Sequence, residues 1–267
     1  ANAIHANLEN GKPVYDGYVL KAGFNMAKIS QCAQAPAASD PRQVIKNVGV
    51  PVIEVAAQGE IIGGTYAYRR DDSDAPNDRF RLYEVAAAGH IDKSAYFGFP
   101  DQKDQVAAVG NAQGTVDWPF NAKCDPEIPL MDPSLIGYVF NASFSNLDAW
   151  VRKGTPAPKA LRVGINNPGT PQASVIVDKL GHGMGGVRTP QIDTPDAAYF
   201  TSSPGPGTCR EMGHKVPFEK AKILELYGTP KDYVSKFNET VDRLLKERWL
   251  TEGDAKRLKQ KLTASSN

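Results

Sequence analysis

The sequence predicts an α/β fold in which parallel strands are flanked by helices. Two short runs rich in β-branched residues, VGVPVIEVAA at 48–57 and FRLYEVAAA at 80–88, read as buried strands. Apolar residues then recur at three- and four-residue steps from Leu135 to Val151, and again from Tyr233 to Leu245. The 267 residues are 41% hydrophobic and 23% charged, which supplies a core and excludes disorder and collagen. Lys plus Arg number 31 and Asp plus Glu 30, so the net charge of +1 gives no broad attraction to nucleic acid or anionic membrane. No stretch approaches the ~18 apolar residues that span a bilayer. The opening ANAIHANLENGKP lacks the charged, apolar and small-residue succession of a signal peptide.

Residues 13–22 hold Val14, Tyr15, Tyr18, Val19 and Leu20 around Asp16-Gly17, a strand entering a loop. The run 48–57 is a central strand, followed by the polar segment 69–79 (RRDDSDAPNDR), which is expected to be a solvated loop. In the strand 80–88, Phe80, Leu82 and Val85 point to the core and Gly89 ends it. The helix of 132–154 takes Asp132 as N-cap, Pro133 in its first turn and Gly154 as its stop. Residues 161–195, with the Gly-rich GHGMGGVRTP, fit a hairpin or an irregular excursion. Thr229, Pro230 and Asp232 open a second helix, and Thr251 with Asp254 a third. The basic run Lys256, Arg257, Lys259 and Lys261 on that last helix is a solvated face without interleaved aromatic rings.

Of the four histidines, His90 stands out because it follows a strand's carboxyl end in Ala-Gly-His, where small residues expose an imidazole and open α/β sheets bind ligands. A loop histidine bonded to backbone is the equally weighted alternative. A general base needs an acidic orienter. Glu60 follows the strand 48–57, so if the two strands are parallel neighbours both side chains emerge at one edge. Asp71, Asp72, Asp74 and Asp78 compete less well, as turn-forming or solvent-facing groups. No G-x-S-x-G elbow occurs in the chain, and Ser30, Cys32, Ser143 and Ser145 lack the glycines of one. His182 with Asp178 in a flexible loop is weak evidence for a metal. Cys32, Cys124 and Cys209 lie far apart. Buried or free thiols and one disulfide are both open, and spacing does not choose between them.

DGYVLKAG at 16–23, VPVIEVAAQGEI at 50–61, FRLYEVAAAGHID at 80–92, LDAWVRKGTPAPKA at 147–160, GGVRTPQID at 185–193 and the segment 209–227 together resemble the alpha/beta hydrolase domain-containing proteins. The resemblance implies a serine esterase of the α/β-hydrolase fold with triad order Ser, acid, His. Glu60 stands where that family more usually has Asp, and His90 matches the base. ANAIH at 1–5 resembles the end of the helix after the nucleophile, so the chain reads as the C-terminal portion of one such domain. Residues 1–92 would carry strands with acid and base, 93–131 a loop near the site, 132–154 a packing helix, 155–216 the irregular region and 217–267 a helical tail.

The nucleophilic serine is then expected upstream of residue 1 or in a complementary N-terminal chain, and this chain alone is expected to be inactive. The implied partner is a small-molecule ester, with neither metal nor organic cofactor, no nucleic acid and no membrane. Phe97 and Trp118 are candidate substrate-binding rings in the loop after the base. Export of many family members implies a periplasmic or secreted protein and, with it, a bridge between Cys124 and Cys209. The alternative is a non-catalytic binding or assembly protein on a hydrolase remnant.

Overall fold

The computed structural model describes residues 8–9, 12–21, 40, 44–62, 65–91, 106–107, 110, 124 and 134–265. Two two-residue strands, β1 (Leu8–Glu9) and β2 (Lys12–Pro13), pair antiparallel. The main sheet holds β3 (Tyr18–Lys21), β4 (Val52–Ala57), β5 (Ser73–Ala75) and β6 (Asp78–Val85) in the order β3-β4-β6-β5. The first three of that order run parallel, and β5 pairs antiparallel with β6. All six residues of β4 are buried, as a central strand covered on both faces requires. The sequence places Phe80, Leu82 and Val85 towards one core; β6 instead buries both faces. Phe80 and Leu82 join Val48, Val50, Val52 and Ala56, while Tyr83 and Val85 join Ile53, Val55 and Ala57 beneath a helix.

That helix, α1 (Leu135–Lys153), seats Leu135, Ile136, Val139 and Trp150 on the sheet. Its N-cap is Ser134, whose hydroxyl accepts from the Gly137 N–H at 2.9 Å. Asp132 and Pro133, the start expected from sequence, lie outside the described residues. Gly154 ends the helix at φ 66°, the left-handed conformation that glycine takes at least cost. Phe144, placed on the apolar face by periodicity, is 54% exposed and stands edge-on to Phe140.

Residues 69–79 are a solvated loop only in part: Asp71 and residues 74–77 are exposed, while β5 and a set of ion pairs order the segment. Arg69 grips the buried Glu84 through two nitrogens, Arg70 does the same to Asp78, and Arg162 reaches Asp72. Arg81 is 1% exposed, yet its guanidinium donates to the carbonyls of Ala157, Ser73 and Phe80 and to Asp74, and stacks over Trp150 at 4.5 Å. Arg69, Arg70, Arg81 and Arg162 each find both an anion and carbonyl acceptors.

Beyond α1, β7 (Ile165–Asn166) and β8 (Ser174–Val175) form a hairpin, so the excursion carries regular pairing at its base. A short helix α2 (Pro190–Asp193) leads to β9 (Ala197–Phe200), which pairs antiparallel with β10 (His214–Pro217). Three helices follow: α3 (Lys220–Tyr227), α4 (Pro230–Lys246) and α5 (Glu252–Ser265). Thr229 caps α4 with Pro230 in its first turn, as the sequence indicates. Tyr233, Phe237, Val241, Leu244, Leu250, Ala255 and Leu258 make a second core, joined to the first where Trp249 meets Tyr83 edge-on at 4.9 Å. A disulfide joins Cys124 to Cys209 with Cα atoms 5.5 Å apart, so these two are not free thiols; Cys32 lies outside the described residues.

Candidate active site

β4 and β6 pair in register from Val52 opposite Phe80 to Ala57 opposite Val85, so their carboxyl ends finish side by side. Each strand breaks into a tight turn there. After β4, residues Gln58–Glu60 wind into one 3₁₀ turn, which folds the Glu60 side chain back so that Oε2 accepts from the Ala57 N–H at 2.8 Å. After β6, Ala87 takes φ 57° and the chain turns through Gly89 to His90. The two turns are stitched together, since the Gly59 N–H donates to the Ala88 carbonyl at 3.0 Å and the Ala87 N–H to Gln58 Oε1 at 2.7 Å.

The result is a short hydrogen bond between His90 Nδ1 and Glu60 Oε1. The Glu60 side chain is 2% exposed and that of His90 35% exposed, so the acid is shielded while the ring reaches solvent. The Glu60 hydrogen bond raises the histidine's pKa, against the opposing cost of burial; the Glu60 charge adds to the rise, Lys21 opposes it and Glu211 supports it. This arrangement can hold one tautomer, with Nδ1 protonated towards the carboxylate and Nε2 able to take a proton.

Glycine is required behind the ring. A Cβ on Gly89 would stand 2.5 Å from the Gly213 nitrogen and 2.8 Å from the Thr201 carbonyl oxygen. Those atoms belong to the connection between β9 and β10, which also receives the Ile91 N–H at the Glu211 carbonyl, 2.8 Å away. Ile91 packs with Met212 and the Cys124–Cys209 bridge. The disulfide thus sits one residue beyond the imidazole.

Other polar groups take structural parts. Ser203 donates its only hydroxyl hydrogen to the Met212 carbonyl at 2.8 Å, so His214 Nδ1, 3.1 Å away, is the donor to Ser203 Oγ. That polarity is the reverse of a nucleophile with its base. Ser143 donates to the Val139 carbonyl inside α1, and Ser145 to the Asn141 carbonyl; Ser30 lies outside the described residues. His182 is fully buried, its Nε2 accepting from the Tyr199 N–H at 3.1 Å, and burial pushes its pKa down. Asp178 accepts from the Arg188 guanidinium and from the backbone N–H groups of Leu180 and His182. Among the described residues no three His, Cys, Asp or Glu side chains gather as a metal site. Phe97 and Trp118 lie outside the described residues. Gln58 escaped the sequence reading, its one signal being its place between a strand end and Glu60.

A family model described as an alpha/beta hydrolase domain matches residues 1–260. No curated protein and no solved structure matches the chain.

Proposed function

Since the chain belongs to the alpha/beta hydrolase domain family, we propose that it supplies the acid and the general base of a serine-type carboxylic-ester hydrolase. The Glu60–His90 hydrogen bond at the carboxyl edge of the parallel sheet carries this reading. Glu60 orients the ring and stabilises the imidazolium, while Nε2 takes the hydroxyl proton of a serine as its oxygen attacks the ester carbonyl. The same proton passes to the departing alcohol. A water, deprotonated by Nε2 in turn, then releases the acid from the acyl-enzyme. This chemistry calls for neither metal nor cofactor.

The sequence holds no G-x-S-x-G, so the proposed serine belongs to a segment or partner chain outside these 267 residues. The missing elbow is also what favours the second reading, a non-catalytic binding or assembly protein. The Cys124–Cys209 bridge supports an oxidising compartment, periplasmic or extracellular. A small-molecule ester is the proposed substrate, with Phe97 and Trp118 the proposed rings at the mouth of its site.

The test is fluorophosphonate labelling of the natural assembly together with hydrolysis of short and long p-nitrophenyl esters. The expected result is label on a G-x-S-x-G serine that His90→Ala slows strongly, with kcat falling on the order of a millionfold. No label and no hydrolysis would favour the binding protein. Labelling indifferent to His90→Ala would remove the base assignment.

A further inference from the structure

We propose that Gln58 is a positioning residue, which fixes His90 against Glu60 by holding the strained turn that carries the histidine. The inference rests on the esterase reading for its kinetic consequences, and on the hydrogen-bond geometry alone for its structural ones.

Ala87 is one of four described non-glycine residues with positive φ, at 57°. An alanine in the left-handed region brings its Cβ too close to the following carbonyl oxygen and persists where its surroundings over-determine it. Here the surroundings are Gln58. Its Oε1 accepts the Ala87 N–H at 2.7 Å, and the next peptide is tied to the same acid turn through the Gly59 N–H and the Ala88 carbonyl. From the other side, Val187 holds the strand end in both directions, accepting from the Ala86 N–H at 3.0 Å and donating to the Glu84 carbonyl at 2.7 Å. Residues 84–88 are thus gripped by residues 58–59 and by Val187.

Gln58 is itself confined by glycine. A Cβ on Gly183 would lie 2.1 Å from Gln58 Oε1 and 2.9 Å from its Cδ, so the amide occupies the space that any other residue at 183 would take. The 181–190 segment therefore seats the side chain that links the two turns. Gly183, Gly185 and Gly186 in it serve close approach to neighbouring atoms, while Gly181 supplies a positive φ in open space.

A side-chain acceptor of this length is the feature that matters. Asparagine falls one methylene short, methionine fills the space without a strong acceptor, and glutamate keeps both length and acceptor. The test compares Gln58→Met with Gln58→Glu in the natural assembly, using two independent measurements. The first is ester kinetics. Gln58→Met is expected to lower kcat on the order of 10- to 100-fold with KM nearly unchanged, as misplacing a catalytic group does. Its acid limb moves to lower pH as the histidine loses contact with Glu60. Gln58→Glu is expected to restore most of kcat.

The second measurement is NMR titration of the His90 ring, which requires no activity. Gln58→Met is expected to bring its midpoint down towards that of an ordinary histidine. An unchanged midpoint in a folded variant overturns the proposal, as does a fall in kcat with no movement of the pH profile. If the parent protein hydrolyses no ester, the esterase reading fails, and the NMR arm still decides the role of Gln58. Should Gln58→Met fail to fold, Gly183→Ala applies the same displacement from behind. A His90 midpoint that it leaves unmoved also overturns the proposal.

Discussion

As the proposed base, His90 works only in its neutral form, and its raised pKa is expected to move the acid limb of kcat/KM to higher pH than an ordinary histidine would give. The first cause of that rise is the hydrogen bond that His90 donates to Glu60. Glu60→Gln is therefore expected to move the limb to lower pH and to cut kcat by about a thousandfold or more, because the amide no longer stabilises the imidazolium. A pH–rate profile of both proteins measures the shift. Glu54 gives a second prediction. It is 5% exposed in mid-β4, between Leu20 and Leu82 in the sheet register. Burial first, then the Glu84 charge, with Arg162 opposing and Glu60 adding, raise its pKa to about 7. The folded state therefore binds its proton more tightly than the unfolded one, and stability falls as pH rises from the ordinary carboxylate range to about 7. Glu54→Gln is expected to stabilise the protein by about 3 kcal/mol at pH 8 and to change little at pH 4, read from urea midpoints. The juxtaposition of Glu60 and His90 was legible because each closely follows a recognisable strand. Glu54 was not, since a polar residue in a strand run reads as solvent-facing unless the cover on its face is known, and Gln58 was not, since its partner Ala87 lies 29 residues away.

At the scale of elements, legibility followed the length of the periodic signal. α1 and α4 announce themselves through repeated apolar steps and capping residues, and β4 and β6 through β-branched runs. β5 is only Ser73–Ala75, with no apolar pattern, and what holds it is the set of arginine forks and carbonyls around Arg81. The β9–β10 hairpin was equally silent, because four-residue strands such as AAYF and HKVP carry too little alternation. Yet this hairpin backs the turn that carries His90. Gly89→Ala would drive a methyl group into the Gly213 backbone, which cannot yield as a flexible side chain does. The expected cost is about 1–3 kcal/mol in urea unfolding, with a loss of kcat beyond it, since the two turns must part to admit the methyl.

Over the whole molecule, two apolar cores meet at Tyr83 and Trp249 and a bridge fastens the region beyond the histidine. The bridge closes a loop of 85 residues, and removing such a native crosslink costs about 2–5 kcal/mol. Replacing Cys124 and Cys209 together with serine is expected to lower Tm and to weaken activity, because Ile91 and Met212 pack against the missing sulfurs. Thermal unfolding with and without reductant measures it, and the doubly substituted protein should be insensitive to reductant. The family was legible at this scale from ordered segments spread along the chain, and the family model covers residues 1–260.

The crosslink also decides how the chain responds to proteolysis. Residues 166–172, at the tip of the β7–β8 hairpin, are all exposed and lie inside the disulfide loop. A protease that nicks this tip would leave the two pieces covalently tied, with α1 still on its sheet and the helices after β10 still joined to it. Such a protein would run as one band on a non-reducing gel and as two after reduction, so a molecule cut once would remain a single species until its thiols were freed.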